Sequence, residues 1–205
     1  QHKKGRRLFV GTTNLDAKRP VIWNLGLIAA SNRPGALELI HNVMLASASI
    51  PGAFPPVIIE VEADGQPYDE LHVDGGAAAQ VFLYPADVDW QFVIENLAVK
   101  GSPQVYVIRN SFLKPEYETV EAKILPITNI SIGSLIRTQG IGDMYRIYLD
   151  CRRDGIDYNL AYISDAFDQK PKEAFDPVYM GQLFDFGYQM AKNGYPWDKA
   201  PPGFE

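Results

Sequence analysis

Eight residues, Glu70-Leu71-His72-Val73-Asp74-Gly75-Gly76-Ala77, constrain this chain more than any others. Apolar Leu71 and Val73 alternate with polar His72 and Asp74, the period of a half-buried strand, and two glycines then end it. Asp74 is thereby placed at a strand end with no side chain beside it on its C-terminal side, where another backbone or a substrate can come close. Two readings fit these residues. One is a catalytic acid or base held at a rigid strand end, the other an Asp-Gly turn that only terminates the strand.

The rest of the chain alternates between strand and helix patterns. Residues 7–14 are rich in β-branched and aromatic side chains and predict a strand, with Val21-Ile22-Trp23 as its partner and Asn14-Leu15-Asp16-Ala17 as the turn. After Pro34-Gly35, the residues Leu37, Leu39, Ile40, Val43, Met44 and Leu45 recur at helical spacing and predict a buried helix to about Ser47, stopped by Pro51, Pro55 and Pro56. Residues 57–62 and 68–73 predict a hairpin through Asp64-Gly65 that delivers its second strand to Asp74. Residues 90–99 predict a helix, and Val105-Tyr106-Val107-Ile108 a strand covered on both faces. A helix follows over 130–153, with Leu135, Ile141, Met144, Tyr145, Tyr148 and Cys151 on one stripe and Gly140 and Gly142 weakening its middle. A last strand is expected over 157–163. Asp176-Pro177 opens a final helix whose buried face is Met180, Leu183, Phe184, Gly187 and Met190, and Gly194 with Pro196 ends it. Strands alternating with helices predict an α/β layered domain with a mixed sheet.

Composition removes several classes of function. With 205 residues, 46% hydrophobic and 21% charged, the chain can bury a sizeable core and fits no disordered or fibrous class. Its net charge of -6 provides no field to gather DNA or RNA, so nucleic acid is not expected as a partner. The basic run His2-Lys3-Lys4-Gly5-Arg6-Arg7 reads either as a solvated lead-in to the first strand or as an anion or membrane-surface contact. Cys151 is the single cysteine, so neither an internal disulfide nor a cysteine-based metal site is expected. No apolar run approaches the length of a membrane span. The chain starts at Gln1 rather than Met, and is expected to be part of a longer protein, with the tail from Pro201 reading as a natural terminus.

His72-x-Asp74 has the spacing of two ligands of a two-histidine, one-carboxylate iron site, which needs a further histidine on the same face. His2 lies in the basic run and His41 within the predicted buried helix, so no metal is expected; His72 reads as a strand residue and His41 as a satisfied helix residue. Gly26, Gly35, Gly52 and Gly65 sit at turns or helix ends rather than in a phosphate-cradling loop, and no cofactor is expected. None of the serines stands in the Gly-x-Ser-x-Gly setting of a nucleophile elbow. Gly133-Ser134 reads as a helix start, and Ser47 and Ser49 as small residues that permit close packing.

Three segments, taken together and in order, resemble the patatin-like phospholipase family: Leu8-Phe9-Val10-Gly11-Thr12-Thr13-Asn14-Leu15-Asp16, Ala46-Ser47-Ala48-Ser49-Ile50-Pro51-Gly52-Ala53-Phe54-Pro55-Pro56, and Val73-Asp74-Gly75-Gly76. The likeness reaches the strand at 105–110 and covers roughly the first half of the chain. It implies a lipid acyl hydrolase of phospholipase or esterase type, with a Ser-Asp dyad on a three-layer α/β/α fold. Residues 1–205 would be the C-terminal portion of one such domain. The dyad base carries over to Asp74, and Gly75 and Gly76 to the loop beside it. The nucleophile and the oxyanion loop lie N-terminal to the first matching segment in that family, hence in a missing N-terminal part.

The resemblance further implies a lipid or fatty acyl ester as substrate, the missing part as partner, and transient contact with a membrane surface. A carboxylate that deprotonates a serine must be partly buried, with its ionised form disfavoured, and within hydrogen-bond reach of the nucleophile. The remaining sheet should then expose an unpaired edge and an apolar face. The alternative is a non-catalytic binding or interaction module that keeps the hydrolase scaffold.

Overall fold

The computed structural model describes residues 2–83, 101–114, 117, 119–173 and 175–204. The helix expected over 90–99 lies outside them. Two compact units are formed, the first from Gln1–Phe82 and Val120–Asp143, the second from Leu83–Thr119 and Met144–Glu205.

In the first unit, β1 (Phe9–Asn14) and β2 (Arg19–Asn24) make the expected hairpin, in register from Phe9↔Asn24 to Asn14↔Arg19. Asn14 Oδ1 accepts from the Ala17 N–H at 2.8 Å and so closes the turn. Asn24 then caps a short helix, α1 (Leu25–Ala30), in a stretch to which the sequence pattern assigns no element. The longer α2 (Ala36–Ser47) follows as expected. A second hairpin joins β3 (Val57–Ala63) to β4 (Gln66–Asp74). Its two loop residues, Asp64 and Gly65, both have positive φ, at 53° and 73°, which is what a two-residue turn matching strand twist requires. Three residue pairs, Thr12↔Asp74, Thr13↔Val73 and Asn14↔His72, join the hairpins into one antiparallel sheet of order β2-β1-β4-β3.

Strand alternation assigns the two faces of this sheet. Val10, Trp23, Val57, Ile59 and Val61 point to one face and pack with Leu25 and Ile28 of α1 and Leu39, Ile40 and Val43 of α2. Each fully buried Leu, Val or Ile there contributes roughly 1.5–3 kcal/mol. The other face carries Phe9, Ile22 and Ile58, all exposed. The apolar residues of α2 run most of the way around it. Only the i, i+1, i+4, i+7 set Leu39, Ile40, Val43 and Ala46 meets the sheet, so Leu37, Met44, Leu45 and His41 face outward and α2 is not the buried helix expected.

The second unit pairs β5 (Gln104–Arg109) with β6 (Asp157–Tyr162) in parallel. In β5, Val107 and Arg109 are buried while Tyr106 and Ile108 are exposed, so this strand is covered on one face and not on two. The α/β content is mixed as expected, but antiparallel and parallel pairings occur in separate sheets. A long helix, α3 (Ile124–Asp154), contributes its residues up to Asp143 to the first unit and those from Met144 to the second. It begins earlier than expected, because Pro126 falls in its first turn, where a missing N–H costs nothing. Gly133-Ser134 therefore lies within the helix rather than at its start. Its buried residues are Gly140, Asp143, Met144, Ile147 and Cys151, whereas Leu135 is exposed. Asp176 caps α4 (Pro177–Lys192) by accepting from the Val178 and Tyr179 N–H groups at 2.9 and 3.2 Å. The Lys172 N–H, which donates to Asp176 Oδ2 at 3.1 Å, and then these cap bonds hold its carboxyl below the usual range. The covered stripe of α4 is Tyr179, Leu183, Phe186 and Met190, with Met180, Phe184 and Gly187 exposed.

Candidate functional site

Asp74 ends β4 as a half-buried residue and serves as the cap of a single 3-10 turn, Gly75–Ala77. Its Oδ1 accepts from the Gly76 N–H at 2.7 Å. Among the described residues, Oδ2 accepts nothing. The backbone around the carboxyl is fixed from two sides. The Asp74 N–H donates to the Ser49 carbonyl at 3.0 Å, and the Thr13 hydroxyl donates to the Asp74 carbonyl at 2.9 Å.

The two glycines have different reasons for being glycine. A Cβ on Gly75 would lie 2.5 Å from the Gly11 carbonyl oxygen, so the backbones of β1 and the turn meet where no side chain fits. On Gly76 a Cβ would come within 3.0 Å of Asp74 Oδ1, the atom that caps the turn. Gly11 is itself confined on a second side, because its Cβ would meet the Phe82 ring at 3.0 Å. The close approach expected at these glycines therefore involves the chain's own first strand. The sequence reading did not single out Gly11, whose only visible signal is its place in a strand of β-branched residues.

The loop after the turn is held by α3. Asp143, almost fully buried, accepts through Oδ2 from the Gln80 and Val81 N–H groups at 2.9 and 3.3 Å. Gln139, one helical turn earlier, donates through Nε2 to the Ala78 carbonyl. Ala78 and Ala79 both donate their N–H groups to the Gly75 carbonyl, at 3.1 and 2.9 Å. Neither Gln139 nor Asp143 was anticipated. Their spacing of four on an otherwise apolar stripe was the available signal.

His72 is fully buried beside Asp74, on the sheet face that α1 and α2 cover. Trp23 Nε1 donates to Thr12 Oγ1 at 2.8 Å, Thr12 Oγ1 lies 2.9 Å from His72 Nδ1, and His72 Nε2 lies 3.2 Å from Glu70 Oε2. A carboxylate accepts only, so a singly protonated ring carries its proton on Nε2 and receives the Thr12 O–H at Nδ1. This order of hydroxyl, imidazole and carboxylate matches a serine triad in chemistry but not in access. The Thr12 side chain is 0% exposed and already bonded by Trp23, so the chain of bonds ties β1, β2 and β4 together and presents no nucleophile. Both nitrogens of His72 are engaged in it, and the ring has no nitrogen left for a metal. His41 is exposed on α2 rather than satisfied within a core.

Ser49 does more than permit close packing, since its carbonyl anchors Asp74 and its hydroxyl donates to the Leu45 carbonyl at 2.8 Å. In the second unit, Lys199 Nζ bonds Asp157 Oδ1 and Oδ2 and Asn159 Oδ1 at 3.0, 2.9 and 2.6 Å, and Lys199 holds the Asp157 carboxyl below the usual range. Among the described residues, no group of three or more His, Cys, Asp or Glu is placed to hold a metal ion, and no helix is long and apolar enough to cross a membrane. Compared with protein-family models, curated proteins and solved structures, the chain matches none.

Proposed function

We propose that this chain belongs to a serine lipid acyl hydrolase in which Asp74 is the base of a Ser-Asp dyad, on a three-layer α/β/α domain of patatin-like type. The observation that carries the reading is the state of the Asp74 carboxyl. One oxygen is committed to the Gly76 N–H, which fixes the group's direction, and the other has no donor among the described residues. A base needs that combination, one oxygen for orientation and one for the proton it removes. Two further features support it. The three sequence segments that suggested the family meet at this residue, through Gly11 against Gly75, Thr13 to the Asp74 carbonyl, and Ser49 to the Asp74 N–H. The exposed Phe9, Ile22 and Ile58 give the sheet an apolar face on which a further layer can pack.

The reaction would be acyl transfer. The dyad serine attacks the ester carbonyl while Asp74 takes its proton, the alcohol departs, and water then releases the fatty acid from the acyl-enzyme. Backbone N–H groups would stabilise the oxyanion. In this reading the serine and those donors would be supplied from outside residues 1–205, which without them should be inactive.

The second reading is a binding module that retains the scaffold. It is favoured by the cap hydrogen bond, which by itself gives Asp74 a role in the turn. Hydrolysis of a short p-nitrophenyl acyl ester by the full-length gene product, before and after Asp74→Asn, tests the two. Loss of at least about 10²-fold in kcat is expected for a general base. Unchanged turnover would leave the module.

A further inference from the structure

We propose that Asp143, assisted by Gln139, is a positioning residue for Asp74, acting through the loop Ala78–Val81. The proposal rests on the reading of Asp74 as a base. Its starting point is a nearly buried carboxylate placed against backbone 62 and 63 residues away in sequence. Burying a carboxylate is costly unless hydrogen bonds replace its water, so the two N–H donors of Gln80 and Val81 and the Asp143 side chain specify one another's positions.

The Asp74 turn does not need this clamp in order to close. Ala78 and Ala79 already bond back to the Gly75 carbonyl, and Thr13 holds the Asp74 carbonyl from β1. What these local bonds leave free is the direction in which the chain departs after Ala79. That direction bears on the peptide whose N–H orients the Asp74 carboxyl, because only three residues separate Gly76 from Gln80. Gln139 fixes the same loop from its other side at the Ala78 carbonyl. A rigid helix thus takes hold of both ends of a four-residue segment. The consequence is a fixed aim for the carboxyl, which matters for proton transfer and is irrelevant to a turn that only reverses the chain.

The test uses the full-length gene product with Asp143→Ala, Asp143→Asn and Gln139→Ala. Steady-state hydrolysis of a p-nitrophenyl ester is read across pH, with backbone amide exchange. With Asp143→Ala, kcat should fall about 10²-fold with KM within about twofold, as expected for a misaimed group. The acidic limb of the pH profile should move, because the surroundings of the base have changed. Exchange should quicken about tenfold at Gly76, Gln80 and Val81 while distant β3 amides stay protected. Asp143→Asn, which keeps an acceptor of the same size, should recover most of kcat, and Gln139→Ala should act in the same direction as Asp143→Ala but more weakly. Altered thermal stability with unchanged kcat and pH profile in folded enzyme would overturn the positioning role. If Asp74→Asn leaves hydrolysis intact, the base reading fails and the proposal with it. If Asp74→Asn abolishes hydrolysis and the Asp143 variants do not affect it, the positioning role alone fails.

Discussion

Replacing Gly75 with alanine isolates the tightest approach in the fold. Gly75 is not among the residues of positive φ, so alanine is not excluded by backbone conformation, and the substitution acts through space alone. Its new Cβ would stand 2.5 Å from the Gly11 carbonyl oxygen and 2.8 Å from the carbonyl carbon. Both atoms belong to β1, which is paired with β2 on one side and β4 on the other, so neither can withdraw without disturbing a ladder. Overpacking of this kind costs about 1–3 kcal/mol. The reduced freedom of the unfolded chain returns roughly 0.4–1 kcal/mol. A net loss of about 1–2 kcal/mol follows, which for a urea m-value of about 2 kcal/mol/M lowers the midpoint by roughly 0.5–1 M.

Gly133→Ala is the matched control. A Cβ there meets nothing within 4 Å, and the residue lies inside α3, so the exchange should raise stability by about 0.8–1 kcal/mol. Urea unfolding followed by far-ultraviolet circular dichroism on the 205-residue chain reads both variants. Equal or higher midpoints for Gly75→Ala would refute the argument that β1 and the Asp74 turn touch backbone to backbone.

Thr12→Val removes the oxygen shared by Trp23 and His72 while keeping the shape. Stranding one donor, the Trp23 N–H, and one acceptor, His72 Nδ1, should cost roughly 2–4 kcal/mol, and Thr12→Ser, which keeps the hydroxyl, about 1 kcal/mol; the same urea assay ranks them. Cys151 is fully buried, and burial pushes its thiol from 9.0 up to about 11, with Asp150, Asp154 and Asp157 adding to the rise. Folded protein therefore holds the proton more tightly than unfolded protein. The contribution of this thiol to stability is complete below about pH 9 and is lost between 9 and 11 at up to about 1.4 kcal/mol per unit. The Tyr158 and Tyr162 hydroxyls, also raised chiefly by burial, act in the same direction. Urea midpoints at pH 8 and pH 10 should separate, by less in Cys151→Ala, and a thiol reagent should label the chain at pH 8 only after denaturation.

The elements that local chemistry dictates were legible in the residues. Asp64-Gly65 specifies its hairpin through two positive φ values, Asp176-Pro177 specifies the start of α4, and the β-branched run of β1 specifies a strand. Failures arose where apolar residues exceed what one face can hold. Apolar residues encircle much of α2, and only tertiary packing chooses Leu39, Ile40, Val43 and Ala46 over Leu37 and Met44. In α4 the covered stripe is shifted by about one position, which a pattern of alternating Met, Phe and Tyr does not resolve. Asp74 was visible because glycine leaves a mark in sequence. Asp143 was not, because its spacing of four from Gln139 marks two polar residues on a helix stripe but says nothing of the loop more than sixty residues away that they hold.

Asp74 itself separates its two readings when stability and turnover are measured on the same substitutions. As a cap, its contribution is the bond from Oδ1 to the Gly76 N–H, and asparagine makes the same bond with nearly equal preference. Asp74→Asn should therefore keep the urea midpoint of the 205-residue chain within about 0.5 kcal/mol of the parent, whereas Asp74→Ala should cost about 1 kcal/mol. As a base, its contribution is a basic lone pair on Oδ2; an asparagine that keeps the cap bond places an amide NH2 there, and its carbonyl oxygen is too weak a base in either orientation. A turn residue makes the two substitutions differ in stability and leaves the chemistry alone. A base makes them agree in abolishing turnover of the full-length protein while still differing in stability. The second pattern cannot come from a damaged fold, because the asparagine variant keeps the cap. If Asp74→Asn instead lowers stability as far as Asp74→Ala, the carboxylate charge itself is structural, and loss of turnover would no longer identify a base.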